Sequence, residues 1–167
     1  MNQSATTVAA GVESVEQAPR IDLVSAAPEA LRAQFGLEAY VRRSGLESSL
    51  VHLVKLRASY LNGCAYCVDM HTKDARSDGE SEQRLYAIPV WRETPFFTAR
   101  ERAALAWAEV VTRIEDGVTD SAYAAAREEF DETELVSLTM AVVTINGWNR
   151  LAIAFRTPPG SYEPSDA

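Results

Sequence analysis

The sequence predicts an all-α domain. Apolar residues recur at helical spacing through most of the chain, glycine or proline closes most of these stretches, and no run alternates convincingly as a strand. A chain of 167 residues holds one domain with a real core, here of about six to seven helices. Residues 1–20 are polar without periodicity and read as a mobile tail. Residues 21–157 form the helical domain, and residues 158–167 a C-terminal tail.

From Pro28 the apolar positions Leu31, Phe35, Leu37 and Tyr40 mark a first helix, which Gly45 ends. Ser48 or Ser49 caps a second, apolar nearly all round, that runs to about Leu61 before the Asn62-Gly63 break. A third opens near Cys64 and reaches Asp78, with Gly79 as its left-handed terminator. A short helix follows from Ser81 to Leu85, and Pro89 and Pro95 bracket an irregular segment containing Trp91 and Phe96. Thr98 and Glu101 match a capping box, so a helix runs from there to about Asp116, where Gly117 closes it. Asp120 caps the next helix, residues 121–130. Asp131 and Glu134 start a long final one through Leu138, Val142, Ile145 and Leu151 to about Arg156, where Pro158 and Pro159 forbid continuation. The second and last helices are too apolar for one buried face each, which predicts contact with further copies of the chain.

Composition narrows the function. With 47% apolar residues and 24% charged ones the chain has the profile of an ordinary globular protein. A net charge of -8 and a pI near 4.8 argue against nucleic acid and anionic membrane surfaces as partners. No signal peptide and no membrane-spanning run is evident, so the cytoplasm is the expected location. In that reducing compartment two neighbouring cysteines point to catalysis or metal binding.

Those cysteines, the only two in the chain, are Cys64 and Cys67, and one of its two histidines, His71, follows four residues after the second. On a helix the three side chains share one face. A thiol at a helix N-terminus meets unpaired N–H groups and the positive end of the dipole, which favour the thiolate. Two thiols one turn apart can also close into a disulfide, so an oxidant can be reduced without leaving a lasting sulfenic acid. The i, i+4 relation makes Cys67 the nucleophile with His71 as its base and Cys64 as the resolving thiol. Against this, Cys64 stands nearer the helix start and feels the stronger dipole, so the reverse order stays open. A zinc site is the rival reading, with His52 completing a Cys2His2 set with Cys64, Cys67 and His71. The plain alternative is two core cysteines near a hydrogen-bonded histidine. No glycine-rich phosphate loop follows a strand, and no haem, flavin or nucleotide cofactor is expected.

Residues 53–59 (LVKLRAS) and 62–76 (NGCAYCVDMHTKDAR) resemble the core motif of the alkylhydroperoxidase D-like branch of the carboxymuconolactone decarboxylase superfamily. Residues 82–85 (EQRL), 91–98 (WRETPFFT), 100–107 (RERAALAW) and 145–150 (INGWNR) are similar to its downstream blocks. The resemblance covers roughly residues 25–156. It implies an all-helical fold assembled as trimers, hexamers or larger rings, and a peroxidase that takes a hydroperoxide as substrate. A thiol or dithiol then serves as reductant. It also implies that Cys67 is the peroxide-reactive thiol, Cys64 the resolving one and His71 part of a proton relay. Decarboxylase members lack the paired cysteines. A disulfide reductase or redox sensor is the nearest related activity.

This chain departs from the branch at three positions. The branch has a relay Glu twelve residues before the first cysteine, where this chain has His52. Tyr60 stands where Gln is common, and Tyr66 where some peroxidases carry His. His52, on the helix before the Asn62-Gly63 turn, is expected to fold back near His71 and substitute for the carboxylate, or else to be a hydrogen-bonded core residue.

Overall fold

Helix α3 (Ser48–Asn62) contributes buried side chains to all three apolar clusters of the computed structural model, which describes residues 18–164. Around it lie α1 (Leu23–Ala26), α2 (Pro28–Arg42), α4 (Ala65–Ser77), α5 (Glu82–Ala87), α6 (Ala99–Thr112), α7 (Asp120–Arg127) and the long α8 (Glu132–Phe155). Two 3-10 turns, Ile88–Glu93 and Ile114–Asp116, complete the chain, and no strand occurs among the described residues. The all-α expectation holds. One further helix, α1, escaped the periodicity because a single turn has too few apolar positions; the Asp22 carboxylate builds it by accepting from the Val24 and Ser25 N–H groups. Most of the N-terminal tail, residues 1–17, lies outside the described residues.

The apolar character of α3 has an internal explanation. Leu50 and Val54 pack with Val41, Trp107, Phe130 and Leu138. Leu53 and Leu56 pack with Leu85, Ile88, Trp91 and Leu105. Ala58 faces the cysteines, Ile145 and Ala152. Three buried faces account for a helix that is apolar all round, so no second copy is needed to cover it. Helix α8 differs, since Val136, Val143 and Ile153 stay exposed while its opposite face is buried.

Local chemistry sets the ends. Reciprocal capping boxes start α6 at Thr98 with Glu101 and α8 at Asp131 with Glu134. Thr119, rather than Asp120, caps α7: its hydroxyl accepts from the Ala122 N–H at 3.2 Å, which leaves Asp120 inside the first turn. Gly147 lets α2 approach α8, since a Cβ there would lie 2.8 Å from Gln34 Nε2, which donates to the Thr144 carbonyl. Among the described residues no helix is long and apolar enough to cross a membrane.

Candidate active site

The turn that presents the cysteines is held from two sides. Gly63 adopts a left-handed φ of 69°, which ends α3 and suits glycine. The Asn62 amide donates to the side chains of Asn146 at 2.9 Å and Asn149 at 2.7 Å, and Asn149 donates to Ser59 Oγ at 3.0 Å. Helix α8 thereby clamps the last turn of α3, which is the structural use of the 145–150 block.

Cys64 is the N-cap of α4, its sulfur accepting from the Cys67 N–H at 3.3 Å, and Cys67 sits in the third helical position. The two form a disulfide across a Cα–Cα distance of 5.4 Å, and both are buried. Cys67 and His71 line a cavity of about 820 Å³ whose other walls include Leu31, Phe35, Met70, Trp148 and Leu151; Cys64 is not part of that wall.

His71 is 5% exposed, and burial pushes its imidazole below the ordinary histidine value. The Asp74 carboxylate, 3.6 Å from Nδ1, acts in the opposite direction, and the nearby Lys55 charge adds to the lowering. Nε2 is buried without a protein partner. Burial would raise Asp74, but the facing His71 imidazole and the hydrogen bond from Tyr162, at 2.6 Å, outweigh it and hold the carboxyl below its usual range. Lys55 is paired with Glu38 of α2, which also accepts from Trp148 Nε1 at 3.3 Å.

His52 lines the same cavity as His71, but its Nε2 is engaged 2.7 Å from Asp78, the C-cap of α4, four residues after Asp74. Its Nδ1 is buried without a partner. The Cys2His2 zinc set does not assemble: the thiols are joined to each other, His52 is turned to Asp78, and no group of three or more His, Cys, Asp and Glu side chains among the described residues is arranged to hold a metal.

Two neighbours of the site went unrecognised in the sequence. Asp74 was legible in principle, since a carboxylate three residues after a helical histidine shares its face. Tyr162 carried no signal, because it reaches the site from the far end of the chain. The motif residues Arg57, Trp91 and Arg92 have a framework use: all three donate to the Glu109 carboxylate, at 2.7, 2.8 and 2.6 Å.

The carboxymuconolactone decarboxylase family matches residues 28–110, a span that holds both cysteines, both histidines, Glu38 and Asp74. YdfG of Bacillus subtilis (strain 168), an uncharacterised protein, is 40% identical over 136 residues, covering 81% of this chain and 92% of its own. The chain belongs to the carboxymuconolactone decarboxylase family. A protein of unknown function from Agrobacterium tumefaciens, named as a candidate AhpD antioxidant-defence protein, superposes with a TM-score of 0.82. It shares 47% identity, covering 89% of this chain and 100% of that one. This family member therefore falls in the alkylhydroperoxidase D-like branch. The debrominase Bmp8, solved as a cysteine-to-alanine variant in complex with 2,3,4-tribromopyrrole, shares the fold of this carboxymuconolactone decarboxylase family chain. Its TM-score is 0.75 at 16% identity, over 83% of this chain and 74% of that one.

Proposed function

We propose that this family member is a thiol peroxidase that reduces hydroperoxides through a dithiol/disulfide cycle of Cys67 and Cys64. The observation that carries the reading is the asymmetry of the pair: Cys67 lines the apolar cavity with His71 one turn behind it, while its disulfide partner Cys64 does not. In the reduced protein His71 takes the Cys67 proton, and the thiolate attacks one peroxide oxygen. The O–O bond breaks, the imidazolium returns a proton to the leaving oxygen, and an alcohol departs. Cys67 is left as a sulfenic acid. The Cys64 thiol then attacks the Cys67 sulfur, the S–O bond breaks, water leaves, and the disulfide forms. The peroxide has gained two electrons from the dithiol, and an external thiol or dithiol restores the pair.

The apolar wall supports an organic hydroperoxide as substrate, since it can bury a carbon skeleton beside the sulfur. Exposed Val136, Val143 and Ile153 on α8 support assembly with further copies of the chain, as trimers or hexamers. The need to regenerate the dithiol supports a cytoplasmic setting. A second reading, reductive removal of halogen from an aromatic molecule, is favoured by a cavity larger than a small peroxide requires and by the fold shared with a debrominase.

The test is single-turnover oxidation of the reduced protein with one equivalent of cumene hydroperoxide. Loss of both thiols per peroxide consumed is expected. An unchanged thiol count overturns the reading, and halide release from a brominated pyrrole in its place would favour the second.

A further inference from the structure

Helix α8 ends where Arg156 enters the left-handed region at φ 56°, and the Thr157 N–H closes the last turn on the Ala152 carbonyl at 2.9 Å. Beyond Pro158 and Pro159 the chain does not leave the domain but crosses α4. The Gly160 N–H donates to Asp69 at 2.9 Å, and Lys73 donates to the carbonyls of Gly160 and Tyr162, at 3.3 and 2.8 Å. Lys73 also pairs with Asp69, one turn earlier on the same helix. Ordering a terminal segment costs about 1–2 kcal/mol of backbone entropy per residue, so convergent ties of this kind are what keep it in place. They leave Tyr162 at the cavity wall, with its hydroxyl on Asp74 Oδ1.

We propose that Tyr162 is a positioning residue for the dithiol site: by holding one oxygen of Asp74, it turns the other toward His71 and sets that imidazole as a base. The inference rests on the dithiol reading given above. The two Asp74 oxygens are divided, with Oδ1 on the Tyr162 hydroxyl and Oδ2 facing His71 Nδ1. A carboxylate accepts and does not donate, so its place beside Nδ1 favours the ring proton there and the lone pair on Nε2. A carboxylate beside one ring nitrogen favours that tautomer and raises the basicity of the other nitrogen. The other charges facing His71 are Lys55 on α3 and Glu38 on α2, which are paired with each other, so Asp74 supplies the charge not already neutralised beside the ring. His52 also acts on Asp74 but is itself held by Asp78. The hydrogen bond to Asp74 pushes the Tyr162 hydroxyl up to about 12, which keeps it a neutral donor throughout the working range.

The experiment follows the His71 ring by ¹⁵N and ¹H NMR in the full-length disulfide form, where no thiol titrates. The two histidines are told apart in a His52→Gln background. Tyr162→Phe is compared with Asp74→Asn and with the double variant. Tyr162→Phe is expected to lower the His71 proton affinity by roughly threefold and to reduce the Nδ1–H tautomer at neutral pH. The same change in the Asp74→Asn background should do nothing more, since the route through Asp74 is already broken. An unaltered His71 titration and tautomer in Tyr162→Phe, or an equal drop in the Asp74→Asn background, would overturn the proposal. The readout needs no peroxide. A shifted His71 in a protein whose dithiol consumes none therefore supports the positioning role while rejecting the peroxidase reading.

Discussion

His71 and Asp74 stand three residues apart on α4, with the carboxylate 3.6 Å from the imidazole Nδ1, so a single helical turn carries both the ring and the charge that acts on it. The branch motif leads one to expect that charge twelve residues before the first cysteine, where this chain has His52. Here the carboxylates that act on the ring come from other positions: Asp74 on α4, and Glu38 on α2, itself paired with Lys55.

The two cysteines should separate cleanly. Cys67→Ser is expected to abolish peroxide consumption. Cys64→Ser should allow one fast oxidation that stalls at sulfenic acid or an intermolecular adduct, since the resolving thiol is gone. Stopped-flow oxidation followed by mass spectrometry reads both. Survival of the fast step in Cys67→Ser with its loss in Cys64→Ser would reverse the roles.

Burial of His71 predicts a pH dependence of stability. Its folded value lies below the ordinary 6.5, so between the two the unfolded chain binds the extra proton and the folded one does not. This contribution is fully present above the unfolded value and is lost as pH falls toward the folded one, at a slope of up to about 1.4 kcal/mol per pH unit. Urea denaturation from pH 7.5 down to 5 should show the decline, and His71→Gln should flatten it. A decline equally steep in His71→Gln would assign it to other groups.

His52 is tied to Asp78, and that bond decides what its replacement does. His52→Gln keeps an amide donor for Asp78 and should change thermal stability little. His52→Glu sets two carboxylates side by side, raising the pKa of one, so its melting temperature should fall at neutral pH and recover below about pH 5 as the pair takes up a proton. A His52→Glu protein as stable as the parent at pH 7 would show that Asp78 simply swings away.

Gly147→Ala tests the α2–α8 approach. The new methyl would meet the Gln34 amide, which must then leave the Thr144 carbonyl, at a cost of about 1–3 kcal/mol. In a Gln34→Ala background, where that bond and the obstacle are already gone, Gly147→Ala should cost little further in chemical denaturation. An equal cost in that background would place the strain in the helix backbone and not at Gln34.

Much of the molecule was legible in the amino-acid order because its determinants are local. Helical periodicity, the two capping boxes and the Gly63 break depend on residues within a few positions of one another. The boxes and the break stand where they were expected, although α6 closes at Thr112 and a 3-10 turn takes up the residues to Asp116. The grouping of Cys64, Cys67 and His71 on α4 is local for the same reason, since one turn of helix brings i and i+4 together.

What the sequence could not decide was which distant side chains meet. An apolar α3 read equally well as a surface for another copy or as the centre of the domain, and packing on three faces settled the matter inside one chain. His52 was bound by Asp78 and the zinc set never formed, because helix rotation and crossing, which no local pattern encodes, determine which partner a side chain reaches. The arrival of Tyr162 on Asp74, 88 residues away along the chain, is the extreme case. A polar segment after a proline pair has no periodicity to read, and only the folded surface of α4 supplies the donors and acceptors that hold it in place.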